Sequence, residues 1–465
     1  MSKSANGESR KIAFIHPDLG IGGAERLVVD AAVGLQDLKN SITIYTSHCD
    51  KSHCFEEVGS GKLRVEVYGD FLPTSILGRF HILFAFLRQL YLVLRLIICG
   101  EISQYDYFIV DQLSYCIPLL SIFSDKNCKI LFYCYFPDQL LVKQDGGKLK
   151  KLYRLPFNYI EEQTTGASDK IVVNSNFTKS MFYKTFTSLS HVEPGVIYPC
   201  VDTQVDIDEE TDKEVTNFFK GSPFFLSVNR FEMKKNIELA INSFARFKKL
   251  VPSSKLKPRL VVAGGYDSRV SENVLYLSEL TKLCDSLKLT SFTIRGKLII
   301  MPPSTDVLFL PSIRSSLKVS LLKQAQLLLY TPSFEHFGIV PVESMLNSTP
   351  VLGVNNGGPL ESIVNFDGTN IDEATGFTEE PDYEKWSKIM VKYADFSEEK
   401  KRRLGENGTR RALEMFSREQ MAREFMTNLE STMRTKRSIP HIVADYWRLE
   451  LLFVLLAMVF YRYIA

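Results

Sequence analysis

Two basic residues, Arg230 and Lys235, lie five positions apart in the string SVNRFEMKKNIELAI. An apolar strand-like run precedes them and an amphipathic helix pattern follows, which places both cations on the loop between the two elements. Arg offers a planar fork of N–H donors and Lys a compact point charge, and both suit the negative charge of a leaving diphosphate. A solvated run of surface charge is the alternative for this segment taken alone.

Two glutamates, Glu335 and Glu343, are eight positions apart in TPSFEHFGIVPVESM. In a continuous helix this separation is about 12 Å, whereas a hydrolytic pair of carboxyl groups needs about 5 to 9.5 Å. We therefore do not expect a glycosidase pair, and the two carboxylates could instead hold opposite ends of one elongated ligand. His336 is adjacent to Glu335, and its imidazole either orients that carboxylate or is a buried packing residue.

Two glycine-rich turns are candidate anion sites. Gly22 and Gly23 precede the helical string AERLVVDAA, and Gly357 and Gly358 precede PLESI. Glycine lets backbone N–H groups approach a phosphate at a helix N-terminus, although a simple tight turn has the same composition. A dinucleotide site would also need an acidic residue at the end of the second strand. That strand is followed by TSH, so we do not expect a nicotinamide cofactor.

The composition excludes several classes of function. The chain has 56 Lys and Arg against 54 Asp and Glu, a net charge of +2, which is too small for a nucleic-acid binder held by bulk electrostatics. Its eight cysteines form neither a CxxC pair nor a zinc-spaced cluster, which indicates reduced thiols and cytosolic domains. The one DxD-like string, at residues 206–208, lacks the strand-end setting of a metal–nucleotide site. We expect no metal.

Short apolar runs alternating with helix-length segments must position these residues. The predicted strands are 11–16, 41–45, 63–67, 107–110, 129–133, 170–173 and 195–198 in the first half, and 224–228, 260–263, 292–295, 328–331 and 351–354 in the second. This alternation is typical of parallel sheets with helical crossovers. Two doubly wound α/β domains in tandem predict a cleft faced by the loops after the strand carboxyl ends.

Composition shifts divide the chain into five predicted parts. These are a first domain at 1–200, an acidic linker at 201–221, a second domain at 222–397, closing helices at 398–438 and a hydrophobic segment at 439–465. The polar stretch before the first strand is too short for a signal peptide.

Two apolar segments indicate a membrane. Residues 76–99 are long enough to span a bilayer, but His81, Arg88 and Arg95 fall within about 40° of one another on a helix. We therefore predict an amphipathic helix that lies in the interface, the alternative being a helix buried in the domain. Residues 439–465 contain the run LLFVLLAMVFY and are predicted to be a membrane anchor or half-buried hairpin, the alternative being a helix packed on the protein.

The strings GGAER, VNRFEMKKN, SFEHFGIVPVE and GGPLE occur in this order, and as a set they resemble the retaining GT-B glycosyltransferases of family 4. The resemblance covers most of the chain. It implies an α/β fold of two Rossmann-like domains facing a cleft, with an acceptor domain at 1–200 and a nucleotide-sugar domain at 222–397. Within the family, HPDLGIGGAER, FYCYFPDQLL and VVNSNFT are most similar to mannosyltransferases of the dolichol-linked oligosaccharide pathway.

This resemblance implies GDP-mannose as donor and Man1GlcNAc2-diphosphate-dolichol as acceptor. The implied reaction adds an alpha-1,3 and then an alpha-1,6 mannose at the cytosolic face of the endoplasmic reticulum, in the assembly of the glycan for protein N-glycosylation. Membrane lipids and other early-pathway glycosyltransferases are implied partners, and nucleic acid is not. The alternatives are a transferase of the same family with another donor or acceptor, and a non-catalytic membrane scaffold of the same fold.

Carried over residue by residue, the resemblance implies that Arg230 and Lys235 neutralise the charge of the departing GDP. It also implies that Glu335 lies at the sugar end of the donor, with His336 beside it. Glu343 would accept hydrogen bonds from the ribose. The implied donor-binding residues are Gly22, Gly23, Glu343, Gly357, Gly358 and Glu361. In one departure, Tyr135 stands where we expect histidine in most relatives, so no essential imidazole is assigned to position 135.

The sequence says less about the residues that bind the acceptor and about how the anomeric configuration is retained. The acceptor diphosphate predicts cations in the first domain, and Lys148, Lys150 and Lys151 are candidates, the alternative for each being a solvated loop. Retention of the anomeric configuration requires a double displacement or a front-face reaction, and the sequence does not choose between them. Glu335 is the one motif carboxylate that we place near the anomeric carbon.

Overall fold

The structure is a computed structural model that describes residues 9–76, 78–141, 148–203, 208–251 and 258–434, with the backbone alone for 148–151. The chain divides into two compact units. Unit 1 consists of Met1–Pro199 and Arg418–Ala465, and unit 2 is Cys200–Ser417. Each unit contains a seven-stranded sheet. The predicted pair of doubly wound α/β domains is confirmed.

The sheet of unit 1 is entirely parallel in its described pairings. Its strands are β1 (Lys11–Asp18), β2 (Ser41–His48), β3 (Arg64–Val67), β4 (Tyr107–Asp111), β5 (Lys129–Cys134), β6 (Lys170–Val173) and β7 (Gly195–Val196). The order is β3-β2-β1-β4-β5-β6-β7, so the direction of winding reverses between β1 and β4. The carboxyl ends of these two strands are where doubly wound sheets place their ligands.

Helices connect the strands of this sheet, as parallel pairing requires. They are α1 (Gly23–Asp37), α2 (Glu56–Gly59), α3 (His81–Ile98), α4 (Ile117–Phe123), α5 (Asp138–Leu141), α6 (Lys148–Thr165) and α7 (Asn176–Thr185), with 3₁₀ turns at Glu101–Gln104 and Thr187–Leu189. Ser175 caps α7, since its side chain accepts a hydrogen bond from the backbone N–H of Thr178.

The sheet of unit 2 is also parallel throughout its described pairings. Its strands are β8 (Phe224–Val228), β9 (Arg259–Gly264), β10 (Ser291–Thr293), β11 (Val307–Pro311), β12 (Leu327–Tyr330), β13 (Val351–Val354) and β14 (Gly376–Glu379). The order is β10-β11-β9-β8-β12-β13-β14. Here the winding reverses between β8 and β12, the strands that precede the two predicted charged motifs.

The helices of unit 2 enclose a core that includes Trp386, Phe231 and Phe244, all fully buried. They are α8 (Glu209–Phe219), α9 (Ile237–Leu250), α10 (Ser271–Ser286), α11 (Ser315–Gln324), α12 (Ile339–Leu346), α13 (Pro359–Ser362), α14 (Tyr383–Ala394) and α15 (Glu398–Met415), with a 3₁₀ turn at Met233–Lys235. After α15 the chain returns to unit 1 with α16 (Arg418–Ser431). There Phe425 stacks on Tyr133 with ring centroids 5.7 Å apart.

Two strands of unit 2 were not predicted. The run β11 is fully buried, but it ends at Pro311 and closely follows Pro302 and Pro303, and prolines in a sequence resemble loop residues. The short edge strand β14 begins at Gly376, where a Cβ atom would lie 2.1 Å from the carbonyl oxygen of Val351. Glycine there permits close pairing, although in a sequence it is read as a breaker.

Two predicted boundaries differ from the observed elements. The acidic segment 201–221 is not only a linker, because it contains α8, capped by the Asp208 side chain accepting from Thr211 N–H. The closing segment 398–438 contains α15 and α16, and these two helices belong to different units. The predicted anchor at 439–465 lies outside the described residues.

Helix α3 occupies the first predicted membrane segment. Among the described residues it is the one helix long and apolar enough to cross a bilayer, with a mean hydropathy of 1.7 and 39% of its residues buried. The predicted basic stripe is wrong at its centre. Arg88 is only 5% exposed and forms an ion pair with Asp18 at 3.0 Å, because the loops after β1 and β3 cover the middle of the stripe. His81 and Arg95 are exposed.

Candidate functional site

The loop after β8 carries Arg230 and Lys235 and is fixed by backbone hydrogen bonds to the end of β9. Asn229 N–H donates to Ala263 O and Phe231 N–H to Gly265 O, both at 3.0 Å. Gly264 has φ +145°, and a Cβ there would lie 2.1 Å from the Asn229 carbonyl oxygen. This glycine therefore permits the close approach that holds the cationic loop.

Lys235 and Glu335 form a direct ion pair. Their side chains are 13% and 27% exposed, and the backbone carbonyl of Lys235 accepts a hydrogen bond from Thr331 Oγ1 at 2.6 Å. Both loops follow neighbouring strands, since β8 pairs with β12 in parallel. The structure thus brings together two residues that are a hundred positions apart in the sequence.

Arg230 lies on the same loop in a different environment. Its guanidinium forms an ion pair with Glu232 at 3.0 Å and is 62% exposed. Gly265 lies against its aliphatic stem, because a Cβ at that glycine would be 3.1 Å from Arg230 Cγ. Of the two predicted cations, Arg230 is therefore the more exposed and Lys235 the one already paired with a motif carboxylate.

The glycine pair Gly357 and Gly358 packs directly on the loop that carries Glu335. A Cβ at Gly357 would lie 2.6 Å from Glu335 O, and one at Gly358 would lie 2.0 Å from Phe337 O. Gly358 N–H donates to Glu335 O at 2.9 Å. This N–H is therefore not the anion donor that the turn suggested, because it holds the glutamate loop. A donor contact by the pair itself stays a prediction.

His336 is held neutral by its surroundings. Burial lowers the pKa of its imidazole to about 4, with Lys235 and Lys234 adding to the effect and Glu335 opposing it. A neutral imidazole can donate one hydrogen bond and accept one, so His336 is not a further cation of this site.

Glu343 forms a separate ion pair with Lys318. It lies on α12, and its Oε1 accepts from Lys318 Nζ of α11 at 2.7 Å, while its Oε2 is buried without a hydrogen-bond partner. Glu335 precedes α12 and is paired with Lys235. The two glutamates thus occupy separate ion pairs, which agrees with separate roles. Glu361 follows Gly358 in the short helix α13, where its N–H donates to Gly358 O at 2.9 Å.

Gly22 and Gly23 lie in unit 1, at the start of α1. Gly22 is the N-cap with extended backbone and no capping side chain, and a Cβ at Gly23 would lie 3.4 Å from Tyr135 Oη. The turn is therefore close to the end of β5, where Tyr135 replaces the expected histidine. A role for the two glycines in donor binding stays a prediction.

Sequence reasoning missed a buried charged cluster beside this turn. His16 Nδ1 is 2.9 Å from Asp111 Oδ1, and its Nε2 is 3.1 Å from the backbone carbonyl of Asp18. Burial alone would lower the pKa of His16, but the Asp111 carboxylate outweighs it and the pKa is raised. His16 lies near the end of β1 and Asp111 ends β4. These strands are neighbours, so strand order could have suggested the pair.

The remaining predicted residues have limited descriptions. Lys148, Lys150 and Lys151 begin α6, but their side chains lie outside the described part of the chain. Of the string 206–208, Asp208 caps α8. In the described ranges no group of three or more His, Cys, Asp or Glu side chains could hold a metal ion. Independence from metal stays a prediction.

Comparison with known proteins identifies both halves of the chain. A family model described as Glycosyltransferase Family 4 matches residues 21–205, and one described as Glycosyl transferases group 1 matches residues 208–411. The chain is 64% identical over 469 residues to the alpha-1,3/1,6-mannosyltransferase ALG2 of Debaryomyces hansenii, covering 98% of each protein. The enzyme of the same name from Saccharomyces cerevisiae is 50% identical over 437 residues, covering 92% of this chain and 86% of that protein.

Solved structures agree on the fold. Sucrose-phosphate synthase from Thermosynechococcus elongatus superposes with a TM-score of 0.64 at 18% identity, covering 90% of this chain and 98% of that one. Anabaena Alr3699/HepE in complex with UDP gives 0.64 at 17% identity, covering 90% and 100%. The predicted GT-B fold is thus confirmed, and by its relatives the chain belongs to the alpha-1,3/1,6-mannosyltransferase family of glycosyltransferases.

Proposed function

We propose that this chain transfers mannose from GDP-mannose to Man1GlcNAc2-diphosphate-dolichol, making an alpha-1,3 and then an alpha-1,6 linkage. The names of its relatives supply the sugar and the two linkages. The structural observation that carries the proposal is the Lys235–Glu335 ion pair at the carboxyl ends of β8 and β12. It joins a cation suited to a diphosphate and a carboxylate suited to sugar hydroxyls.

In this proposal the two cations share the charge of the departing GDP. Lys235 is fixed by Glu335, so its remaining N–H donors can reach phosphate oxygens without the entropy cost of ordering a free side chain. Arg230 is exposed and can offer two parallel N–H groups to one phosphate. These charges do the neutralising that a divalent cation does in other transferases, so we expect full activity in the presence of a chelator.

Glu335 takes the sugar end of the donor and Glu343 the ribose. Gly357 and Gly358 allow close packing against the loop that carries Glu335, because a side chain at either glycine would collide with the backbone of that loop. His336 contributes a neutral imidazole next to Glu335. Glu335 has a positioning role in this proposal, because its carboxylate is already held by Lys235.

The proposal is tested with purified full-length chain and a synthetic Man1GlcNAc2-diphosphate lipid. With GDP-mannose we expect products larger by one and then two hexoses, and linkage-specific mannosidases should identify alpha-1,3 and alpha-1,6 bonds. UDP-glucose should give no product. Product from UDP-glucose alone would favour a transferase with another donor, and nucleotide-sugar binding without turnover would favour the scaffold.

We propose further that α3 places unit 1 on the cytosolic surface of the endoplasmic reticulum membrane. Tyr91, Leu94 and Ile98 of this helix are exposed large hydrophobics, and so is Phe71, whose ring contacts Tyr91 with centroids 4.9 Å apart. Such a face lies in the interface of a bilayer. In this proposal Lys148, Lys150 and Lys151 add attraction to anionic lipids and to the acceptor diphosphate.

Vesicle sedimentation tests this attachment. Replacing Leu94 and Ile98 by Lys should reduce the bound fraction of full-length protein several-fold, while Leu275→Lys, an exposed position of unit 2, should leave it unchanged. Equal binding of all three proteins would contradict a role for α3. High salt should release part of the bound protein if the lysines contribute.

The sequon at Asn176 tests the orientation. Its side chain is exposed, so a lumenal unit 1 would present it for glycosylation. We expect no endoglycosidase-sensitive shift for protein isolated from microsomes. Two further sequons lie at Asn347 and Asn407, and a glycan on any of the three would contradict this orientation. Asn407 is the least accessible of them, because its amide donates to the carbonyl oxygens of Ile371 and Ala374 inside the fold.

A further inference from the structure

We propose that Lys318 is a positioning residue for the nucleotide, which holds Glu343 so that one defined carboxylate oxygen receives a ribose hydroxyl. The inference rests on the proposed function, which gives Glu343 the ribose. Lys318 lies outside every string that carries the family resemblance. It is recognised only from its contact in the structure.

The contact is a short ion pair between two helices of unit 2. Lys318 is in the first turn of α11, where its backbone N–H donates to the backbone carbonyl of Arg314 at 3.0 Å. Glu343 is in the middle of α12. Lys318 Nζ donates to Glu343 Oε1 at 2.7 Å, with side chains 29% and 23% exposed. Both side chains are therefore partly exposed, although the Oε2 atom of Glu343 is itself buried.

The second carboxylate oxygen of Glu343, Oε2, has a different environment from Oε1. Glu343 Oε2 is buried and has no hydrogen-bond partner. A buried carboxylate oxygen without a donor costs free energy, because it has lost water and gained nothing in exchange. A ligand hydroxyl that donates to Oε2 would remove this cost, so the pair favours a ligand that presents a hydrogen-bond donor at this point.

The lysine makes the two oxygens unequal. A free glutamate rotates its carboxyl group and presents either oxygen, whereas Lys318 takes Oε1 and leaves Oε2 for the ligand. A carboxylate is an acceptor only, and a ribose hydroxyl can donate to it. We infer that removing the lysine lets the carboxylate turn away and weakens the recognition of ribose hydroxyls in particular, not of the nucleotide in general.

The same helix offers a matched control. Lys323 also lies on α11 and forms an ion pair with the carboxylate of Asp212 on α8. Like Lys318, it ties α11 to another helix, but its partner is not a residue of the proposed site. A change that follows from general weakening of α11 should therefore occur in Lys323→Met as well as in Lys318→Met.

The experiment measures binding of GDP, 2′-deoxy-GDP and 3′-deoxy-GDP to full-length protein by calorimetry. In the wild type we expect at least one deoxy analogue to bind about tenfold more weakly than GDP. In Lys318→Met this preference should fall to about twofold, in Lys318→Arg it should be largely restored, and in Lys323→Met it should equal that of the wild type. A near-ultraviolet spectrum and thermal midpoint for each variant confirm that it is folded.

Two results would overturn the inference, and they differ in scope. If Glu343→Gln loses the preference for GDP while Lys318→Met keeps it, Lys318 does not position the carboxylate and the proposed ribose role stands. If the wild type itself binds all three nucleotides equally, both the inference and the ribose role of Glu343 fail. Mannosyl transfer is measured separately with GDP-mannose, so either result leaves the test of the reaction independent.

Discussion

The Lys235 ammonium contacts the Glu335 carboxylate directly, and this contact limits what each residue can do for a donor. An ammonium has three N–H donors, so two remain after Glu335 has accepted one. The carboxylate gains a fixed orientation, and the ammonium neutralises part of the negative charge that a nucleophile would use. Sequence reasoning could predict that both residues serve one ligand, but the contact itself depends on β8 and β12 being neighbours.

Replacing Lys235 by Ala should lower kcat about a hundredfold. The change removes a positive charge near the diphosphate and also leaves the Glu335 carboxylate unpaired beside it. Arg230→Ala should have an effect of similar size through lost charge. Lys234→Ala is the control, because this exposed lysine pairs with Glu232 instead and should stay within about twofold of wild type. Unchanged kinetics in Lys235→Ala would remove its assignment.

His336 should make stability fall in mild acid. Its pKa is lowered to about 4 in the folded protein, whereas an unfolded histidine titrates near pH 6.5. Below that pH the unfolded chain binds a proton that the folded chain refuses, so the free energy of unfolding decreases as pH falls from about 6.5 toward about 4. Urea unfolding at about pH 7 and pH 5 should show a smaller decrease in His336→Gln than in wild type.

His16 should have the opposite effect on the pH dependence of stability. Asp111 raises the pKa of its buried imidazole, so the charged pair stabilises the fold fully below about pH 6.5, and that contribution is lost as pH rises through the folded pKa. His16→Gln leaves Asp111 buried without its cation, which costs about 3–5 kcal/mol. Urea unfolding should find a larger loss at about pH 6 than at about pH 9, and equal losses would argue against a charged pair.

At the scale of elements, helix α3 shows what periodicity can and cannot predict. Its length and apolar character follow from the sequence, and the spacing of His81, Arg88 and Arg95 correctly puts them on one face. The burial of Arg88 does not follow, because it depends on Asp18 and Asp70, which reach the helix from the ends of β1 and β3. Such contacts are set by the sheet order and not by local spacing.

Arg88→Leu should lower the free energy of unfolding by about 1–2 kcal/mol. The loss is moderate because Asp18 and Asp70 are about half exposed and can be solvated when the guanidinium is absent. The matched variant Arg95→Leu, at an exposed position of the same helix, should change stability by no more than about 0.5 kcal/mol. If the two variants are equally stable by urea unfolding, Arg88 does not tie α3 to the sheet.

For the whole molecule, alternating strands and helices were sufficient to predict two doubly wound domains. The edge strands, and the helix that follows the second unit in sequence, were harder to predict. Strand β14 is short and starts at a glycine, and α16 belongs to the first unit although it follows the second in sequence. The amphipathic pattern of α16 shows that it packs on something, but a one-dimensional pattern cannot specify which sheet.

Phe425→Ala should destabilise unit 1 by about 3–5 kcal/mol. Phe425 is completely buried on α16, and its removal leaves a cavity against Tyr133. Met433→Ala is the control, since this side chain is 88% exposed and should have almost no effect. Hydrogen exchange of β1 and β5 in the two variants checks the assignment, because protection should decrease only in Phe425→Ala.

The late return of α16 has a consequence for synthesis on the ribosome. Residues 200–417 are translated between the first segment of unit 1 and α16, which takes some tens of seconds at about 5–20 residues per second. During that interval the nascent chain presents the uncovered surface of α1 around Gly34, where Ala422 will pack. We expect chaperones to bind there until α16 leaves the exit tunnel.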